Sequence, residues 1–354
     1  MVRSRAKERV TSLDVARRAG VSQSAVSRTF TENSSVSTKT AEKVRQAAIE
    51  LGYRPNILAR SLITGKSNII GVLVSYLDNF FYPDALEKLS NLLQSEGYHV
   101  LIFMAAQTQT ASNECLQSDI SDDTEASIDK IVSEILDYQV DGIILASILL
   151  SSTLADRCQA AGVPVILFNR SQTGDYISSV TSDNFAGGIK VGEHLVQTEH
   201  KRPAYIAGLL AASTQRDREA GFMTALAAAE LPLYWGGEGH YDYDGAANAA
   251  LALAALDPLP DAVFVANDHM AFAVMDVLRY ECGLSVPGNI SVIGYDDVPV
   301  AGWPAYNLTT VRQPADEMVA ETVSLLLKKI RGEESEIVRK AIDGPLILRG
   351  SCRR

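Results

Sequence analysis

The sequence predicts an all-α helix-turn-helix bundle at the N-terminus followed by a larger α/β body built on parallel sheets. Three observations carry this. Residues 12–28 read as two short helices hinged at Gly20-Val21-Ser22. From Asn68 onward, short apolar runs alternate with helical patterns, the arrangement that forms parallel sheets covered on both faces. The charge divides at the same point. Residues 1–68 hold 13 Lys and Arg against 5 Asp and Glu, and the rest of the 354-residue chain holds 19 against 38.

In the first helix, Leu13, Val15, Ala16 and Ala19 form one apolar face, and Ala16 is small enough for a second helix to cross nearby. Gly20 takes the left-handed conformation that ends a helix without a Cβ penalty. Ser22 is a good N-cap for the second helix, and Val26 fills the crease between the two. A third helix opens at Val36–Thr40, carries Val44, Ala47, Ala48 and Leu51 as its stripe, and closes at Gly52-Tyr53. Pro55-Asn56 to Gly65 then has the start and stop signals of a helix barely two turns long, too short to be stable alone in water.

In the body, strands are predicted at Ile69–Val74, His99–Phe103, Gly142–Ala146, Val163–Phe168, Ala204–Ala207, Ala262–Ala266 and Ser291–Gly294. Helices are predicted at Ala85–Glu96, Ile128–Tyr138, Gly187–Gln197, Gly221–Ala229, Ala246–Ala255 and Met270–Glu281. Residues 105–123 read as a long polar loop after a strand end. Ligands of such folds bind at the carboxyl ends of the strands, so the turns after strands are where site residues are expected.

The basic N-terminal module suits DNA phosphates, and the acidic body is repelled by them. The four cysteines show no CxxC pair and no zinc spacing, which predicts reduced thiols, and the five histidines show no metal-ligand spacing. The N-terminus lacks the apolar run of a signal peptide, so a cytoplasmic protein is expected. There is no nucleophile elbow, P-loop, catalytic carboxylate pair or metal motif, which argues against an enzyme and calls for no cofactor.

The helix-turn-helix, the linker Tyr53-Arg-Pro-Asn-Ile-Leu-Ala-Arg-Ser-Leu62 and the alternating body together resemble the lactose-repressor (LacI/GalR) family of transcription regulators. Further matching stretches are Val140–Ile144, Ser182-Asp183-Asn184, Arg216–Phe222, Val265–Asp268, Ile290–Asp297, Leu308–Pro314 and Leu348–Ser351. Singly they are weak, but their order along one chain is specific. The resemblance implies a periplasmic-binding-protein-like body of two parallel-sheet subdomains joined by three crossovers, near 171–178, 302–308 and 331–336. The implied organisation is a DNA-binding domain at 1–54 and a hinge helix at 55–67. An N-subdomain at 68–175 with 303–333 and a C-subdomain at 176–302 with 334–354 complete it. It also implies a homodimer, since two recognition helices must reach the halves of a near-palindrome, and the absence of a heptad tail favours a dimer over a tetramer.

By the same resemblance, Gln23, Ser24 and Arg28 form the base-reading face. Gln grips adenine, Arg grips guanine, and Ala25 offers an apolar contact to a thymine methyl. Thr11, Ser12, Ser22, Ser27, Asn33 and Thr40 sit at helix ends and turns and suit phosphate. Leu62 matches a minor-groove wedge, and Asn56 and Ala59 match linker-helix residues that face DNA and a partner helix. In the body, Arg218 matches the family's effector-binding arginine on a loop after a strand. Asp296 matches an acidic contact facing it across the cleft, and Asn267 a third contact. Tyr76, Asn79 and Phe80 belong to the other wall, with Phe80 and Tyr241 as stacking surfaces for a sugar. Arg170 adds a second positive group, which together with Arg218 favours an anionic or highly polar ligand. Each residue has a plainer reading as a cap, a core side chain or an inter-domain contact.

The expected function is therefore a sequence-specific transcriptional regulator, most simply a repressor, switched by a small polar effector such as a sugar. Three rivals compete: a sugar-binding transport protein, an enzyme using the cleft, and an architectural DNA protein without an effector. The first has no use for residues 11–62, and the second lacks its motifs.

Overall fold

The computed structural model describes residues 10–30, 35–54, 66–75, 77–105, 120–148, 151–172 and 177–353. Among the sequence expectations, Asn33, Asn56, Ala59, Leu62 and Tyr76 lie outside these residues, as does most of the polar stretch from 105 to 123. The chain divides into two compact units, residues 1–67 and 68–354.

The first unit contains α1 (Ser12–Ala19), α2 (Gln23–Thr29) and α3 (Thr38–Leu51). Thr11 caps α1 in a capping box with Asp14, Ser22 caps α2 and Ser37 caps α3. Gly20 ends α1 at φ 65°, and the N–H of Val21 then bonds back to the carbonyl of Ala16, so the chain turns straight into α2. Val15, Ala16, Val26, Val44, Ala47 and Ala48 form the core, with Phe30 against Tyr53 at its edge. Leu13 departs from the expected apolar face: it is 43% exposed, because α3 covers the Val15–Ala16 side of α1.

The body contains two six-stranded sheets. The first has the order β11-β5-β4-β3-β1-β2, with β1 at Ile69–Val74, β2 at His99–Met104, β3 at Gly142–Ala146, β4 at Val165–Phe168, β5 at Ser178–Ser182 and β11 at Arg339–Ile342. The second has the order β12-β10-β9-β8-β6-β7. Here β6 is Pro203–Ala207, β7 Trp235–Glu238, β8 Ala262–Val265, β9 Ser291–Asp296, β10 Thr309–Arg312 and β12 Leu346–Ile347. Every pairing is parallel except β10 with β12. Helices α4 (Phe81–Ser95), α5 (Ile120–Asp137), α6 (Ser152–Ala160) and α11 (Ala315–Arg331) accompany the first sheet. With the second go α7 (Asn184–Gln197), α8 (Ser213–Ala228), α9 (Tyr243–Ala254) and α10 (Asp268–Asp276). Among the described residues no helix is long and apolar enough to cross a membrane.

The strand pairings shift the crossovers downstream of the expected places. Ser178–Ser182 pairs with β4, so it belongs to the first sheet, and Thr309–Arg312 pairs with β9, so it belongs to the second. The chain therefore changes lobe at 182–184, at 312–315 and at 342–346. Ser178-Ser-Val-Thr-Ser182 is polar yet fully buried between its neighbours, so no apolar run marks it as a strand. Helices α4, α5 and α7 to α10 also start before the expected residues, and no sequence expectation covers α6. Asp183, Asp242 and Asn267 cap α7, α9 and α10, whereas the apolar stripes begin a few residues later. Likewise, α5 starts at Ile120, inside the stretch read as a loop.

Helices α7 and α8 pack at backbone contact. A Cβ added at Gly221 would lie 2.0 Å from the carbonyl oxygen of Phe185, and backbone has no rotamer with which to yield. This contact holds α8, and with it Arg218, against the second lobe. Gly221→Ala is expected to lower the unfolding free energy of the body by about 1–3 kcal/mol in urea titration. An unchanged midpoint and slope would contradict the close packing.

Candidate functional site

The carboxyl ends of the two sheets face each other, and the body's buried charges collect there. Arg218 and Asp296 are 3% and 4% exposed, and a guanidinium nitrogen of Arg218 lies 3.7 Å from Asp296 Oδ1. Both belong to the second lobe, so they form a pair on one wall instead of facing each other across the cleft as expected. Arg218 also lies inside α8 and not on a loop, because α8 begins at Ser213. Its Nε donates to Asn184 Oδ1 at 2.8 Å, an Nη1 donates to the carbonyl of Ala266, and its Cζ sits 3.7 Å over the Tyr295 ring. Asp296 accepts from Gln313 Nε2 at 2.6 Å and from Asn79 Nδ2 at 2.9 Å. Its backbone is strained, at φ 129°, which the surrounding contacts must enforce.

The Asn79 bond links the lobes, because Asn79 follows β1. Its Oδ1 meanwhile accepts from the N–H of Phe81 at the start of α4. Arg170, buried after β4, donates across the same gap to the hydroxyl of Thr214 in the first turn of α8. The N–H of Ser171 donates to Ser213 Oγ at 3.1 Å. Phe80 is 48% exposed, whereas its neighbour Phe81 is buried and stacked on Phe168. His240 and Tyr241 take left-handed backbone, at φ 54° and 62°, which turns the Tyr241 ring onto the backbone of Gly208. Asn267 Oδ1 caps α10 through the N–H of Met270.

Among the described residues, several buried polar atoms at this junction have no hydrogen-bond partner: Ser75 Oγ and Asn169 Oδ1 in the first lobe, Tyr241 Oη and Asn267 Nδ2 in the second, and Gln313 Oε1 in a crossover. Buried polar groups are normally satisfied, and each orphan costs about 1–3 kcal/mol. Sequence reasoning missed Asn184, Gln313 and Asp268. Asn184 and Gln313 lie within stretches that carry the resemblance, but neither has the charge or aromatic ring that draws attention to a site.

In the N-terminal module, Gln23, Ser24, Ser27 and Arg28 are exposed on α2, and Ala25 is half-buried. Gln23 Nε2 donates to Ser12 Oγ at 3.0 Å, which ties α2 to α1. Arg28 Nε donates to the carbonyl of Ser24, and Ser24 Oγ is 2.9 Å from Ser22 Oγ. Thr11 and Ser22 serve as caps, so their side-chain oxygens are engaged in the free protein.

Asp268 is fully buried behind Asp296 and accepts from Thr310 Oγ1 at 2.6 Å and from the N–H of Val298 at 3.0 Å. Burial, and then the neighbouring Asp296, push its carboxyl up to about 8. Burial also raises Asp296, while Arg218 and the Asn79 and Gln313 amides work against that. A carboxyl raised on folding stabilises the folded state below its unfolded value, and this contribution is lost as pH rises through the folded value. The stability of the wild type relative to Asp268→Asn is therefore expected to fall as pH rises from about 4 to about 8. Urea unfolding across that range checks it; a constant difference would place an ionised Asp268 in the core.

Residues 11–56 match the family of bacterial regulatory proteins called the lacI family, and residues 193–352 match a periplasmic binding protein-like domain. Catabolite control protein A of Priestia megaterium is 31% identical over 335 residues, which cover 93% of this chain and 96% of that protein. Among solved structures, the lac repressor dimer bound to operator and the anti-inducer ONPF is 28% identical, with a TM-score of 0.82 over 97% of this chain and 99% of that one. The complex of the transcriptional regulator CelR with cellobiose is 29% identical, with a TM-score of 0.69 over 97% of this chain and 100% of that one. With its capped helix-turn-helix and its two-lobed parallel-sheet body, this chain belongs to the lacI family of bacterial regulatory proteins.

Proposed function

We propose that this regulator is a cytoplasmic, homodimeric repressor that reads operator DNA through α2 and is switched by a small polyhydroxy effector held between its lobes. It acts by binding alone, with no turnover. The observation that carries the effector reading is the set of buried polar atoms, unpartnered among the described residues, at the carboxyl ends of both sheets, beside the Arg218–Asp296 pair. A hydroxyl both donates and accepts, so it suits orphan acceptors such as Asn169 Oδ1 and orphan donors such as Asn267 Nδ2 at once. Apolar ligands leave those groups unpaired. That the similar CelR was solved with cellobiose agrees with this choice.

In this reading Arg218, Asp296, Asn267 and Tyr241 contact the effector from one lobe, and Asn79, Phe80 and Arg170 from the other. The N-subdomain is bounded by 68–183 with 314–342, and the C-subdomain by 184–312 with 345–353, following the sheets. Gln23, Ser24, Ala25 and Arg28 read bases, and Thr11, Ser22 and Ser27 lie beside phosphates. Asn33, Asn56, Ala59, Leu62 and Tyr76 keep the roles that the family resemblance implies.

Two outcomes are expected. Arg28→Ala weakens binding to a selected operator by about 1–3 kcal/mol and relaxes preference at one base position. An equal loss on unrelated DNA, measured by fluorescence anisotropy, contradicts base reading. Thermal-shift titration with cellobiose, ribose, gluconate, glucose 6-phosphate and hypoxanthine is expected to show stabilisation by a polyhydroxy probe, abolished by Arg218→Met. Stabilisation that survives Arg218→Met, or that only hypoxanthine produces, contradicts the effector site.

A further inference from the structure

We propose that Asn184 and Gln313 are positioning residues that tie the charged pair of the cleft to the crossovers between the lobes. The carrying observation is that each buried ion is held by a neutral amide borne on a different crossover. Arg218 Nε donates to Asn184 Oδ1 at 2.8 Å, and Asn184 ends the crossover at 182–184 and opens α7. Asp296 Oδ1 accepts from Gln313 Nε2 at 2.6 Å, and Gln313 lies between β10 and α11 in the crossover at 312–315.

Both amides are fixed by their own backbone surroundings. Asn184 Nδ2 donates to the carbonyl of Ser182, and the Gln313 N–H donates to the carbonyl of Asp296. The crossovers are in turn fastened to one another. The N–H of Asp183 donates to the carbonyl of Ile342 at 2.7 Å, and that of Arg312 to the carbonyl of Pro345 at 2.9 Å. A Cβ added at Gly344 would lie 1.9 Å from the carbonyl oxygen of Arg312, so the second and third crossovers touch backbone to backbone. A displacement of Gln313 cannot be absorbed locally and moves its neighbours.

The grip is asymmetric in a useful way. Each ion is gripped by a neutral amide at hydrogen-bond distance and by its opposite charge only at 3.7 Å, so an incoming hydroxyl pair competes with the amide. Asn184 uses both ends of its amide, whereas Gln313 Oε1 has no partner among the described residues, so the Gln313 side chain is held by one bond. A ligand that takes Asp296 Oδ1 releases the Gln313 amide, and one that takes Arg218 Nε releases Asn184. Occupancy of the cleft is thus felt first at the two crossovers. This rests on the effector-site reading of Arg218 and Asp296, but its test needs no effector.

Hydrogen–deuterium exchange of the full-length, ligand-free protein reads the restraint directly. Gln313→Met, which keeps the length and removes the amide, is expected to speed exchange about tenfold at residues 312–315, 342–345 and 79–82, the loss of one hydrogen bond to a charged group. The central strands β6 and β8 stay protected. In an Asp296→Asn background the same change adds little, because its partner is already altered. Asn184→Ala behaves alike around 182–186, with Arg218→Met as its partner background. Wild-type exchange at the crossovers overturns the proposal. So does acceleration spread evenly over the central strands, or full additivity with the partner variant, since each marks a purely structural role. Failure of the effector reading shows separately, as ligand stabilisation that survives Arg218→Met.

Discussion

The body of this protein is organised around one buried ion pair. Arg218 and Asp296 are both removed from water, and a buried charge is tolerable only when its remaining hydrogen-bonding capacity is met. That demand reaches into both lobes. It draws in Asn184 and Gln313 from two crossovers, Asn79 from the opposite lobe, the carbonyl of Ala266 after β8 and the ring of Tyr295 in β9. The backbone at Asp296 accepts a strained conformation, and Asp268 behind it accepts a raised proton affinity. Strain and unpartnered polar atoms gather at the same place, where sites for ligands are usually built.

The N-terminal module obeys a different economy. Its core is small, and its geometry rests on three side-chain caps and the left-handed Gly20. The base-reading candidates Gln23 and Arg28 are not idle in the free protein: one is bonded to Ser12, the other to the Ser24 carbonyl. These exposed bonds are weak enough to be exchanged for bases or phosphates. The module is prearranged without being locked.

The helix-turn-helix was legible because its signals are local. Ser22 three residues before Ala25, Gly20 just past the first helix, and the Val44–Leu51 stripe each act within a turn or two. The alternation of the body was legible for the same reason. Polar strands were not: Ser178–Ser182 is held by pairing to β4 and β11 on either side, and no apolar run marks it. Helix α11 did carry signals that went unread, with Asp316 and Glu317 in its first turn and Gly332 at its end. In the cleft, charge and family likeness pointed to Arg218 and Asp296. Their amide partners were hidden, since Asn79 and Asp296 stand 217 residues apart and a neutral amide has no signature of its own. The expectation that the two ions face each other across the cleft failed because both are carried by the same sheet's elements.

In the proposed switch, what binds beside Arg218 and Asp296 decides how the N-terminal module holds its operator. The most direct measurement is the affinity of the full-length protein for an operator selected from random DNA, at fixed salt, with and without a polyhydroxy compound whose binding calorimetry has established. The account predicts a shift of about tenfold or more, the usual size of coupling between sites. A compound that saturates the cleft and leaves operator affinity unchanged would contradict it.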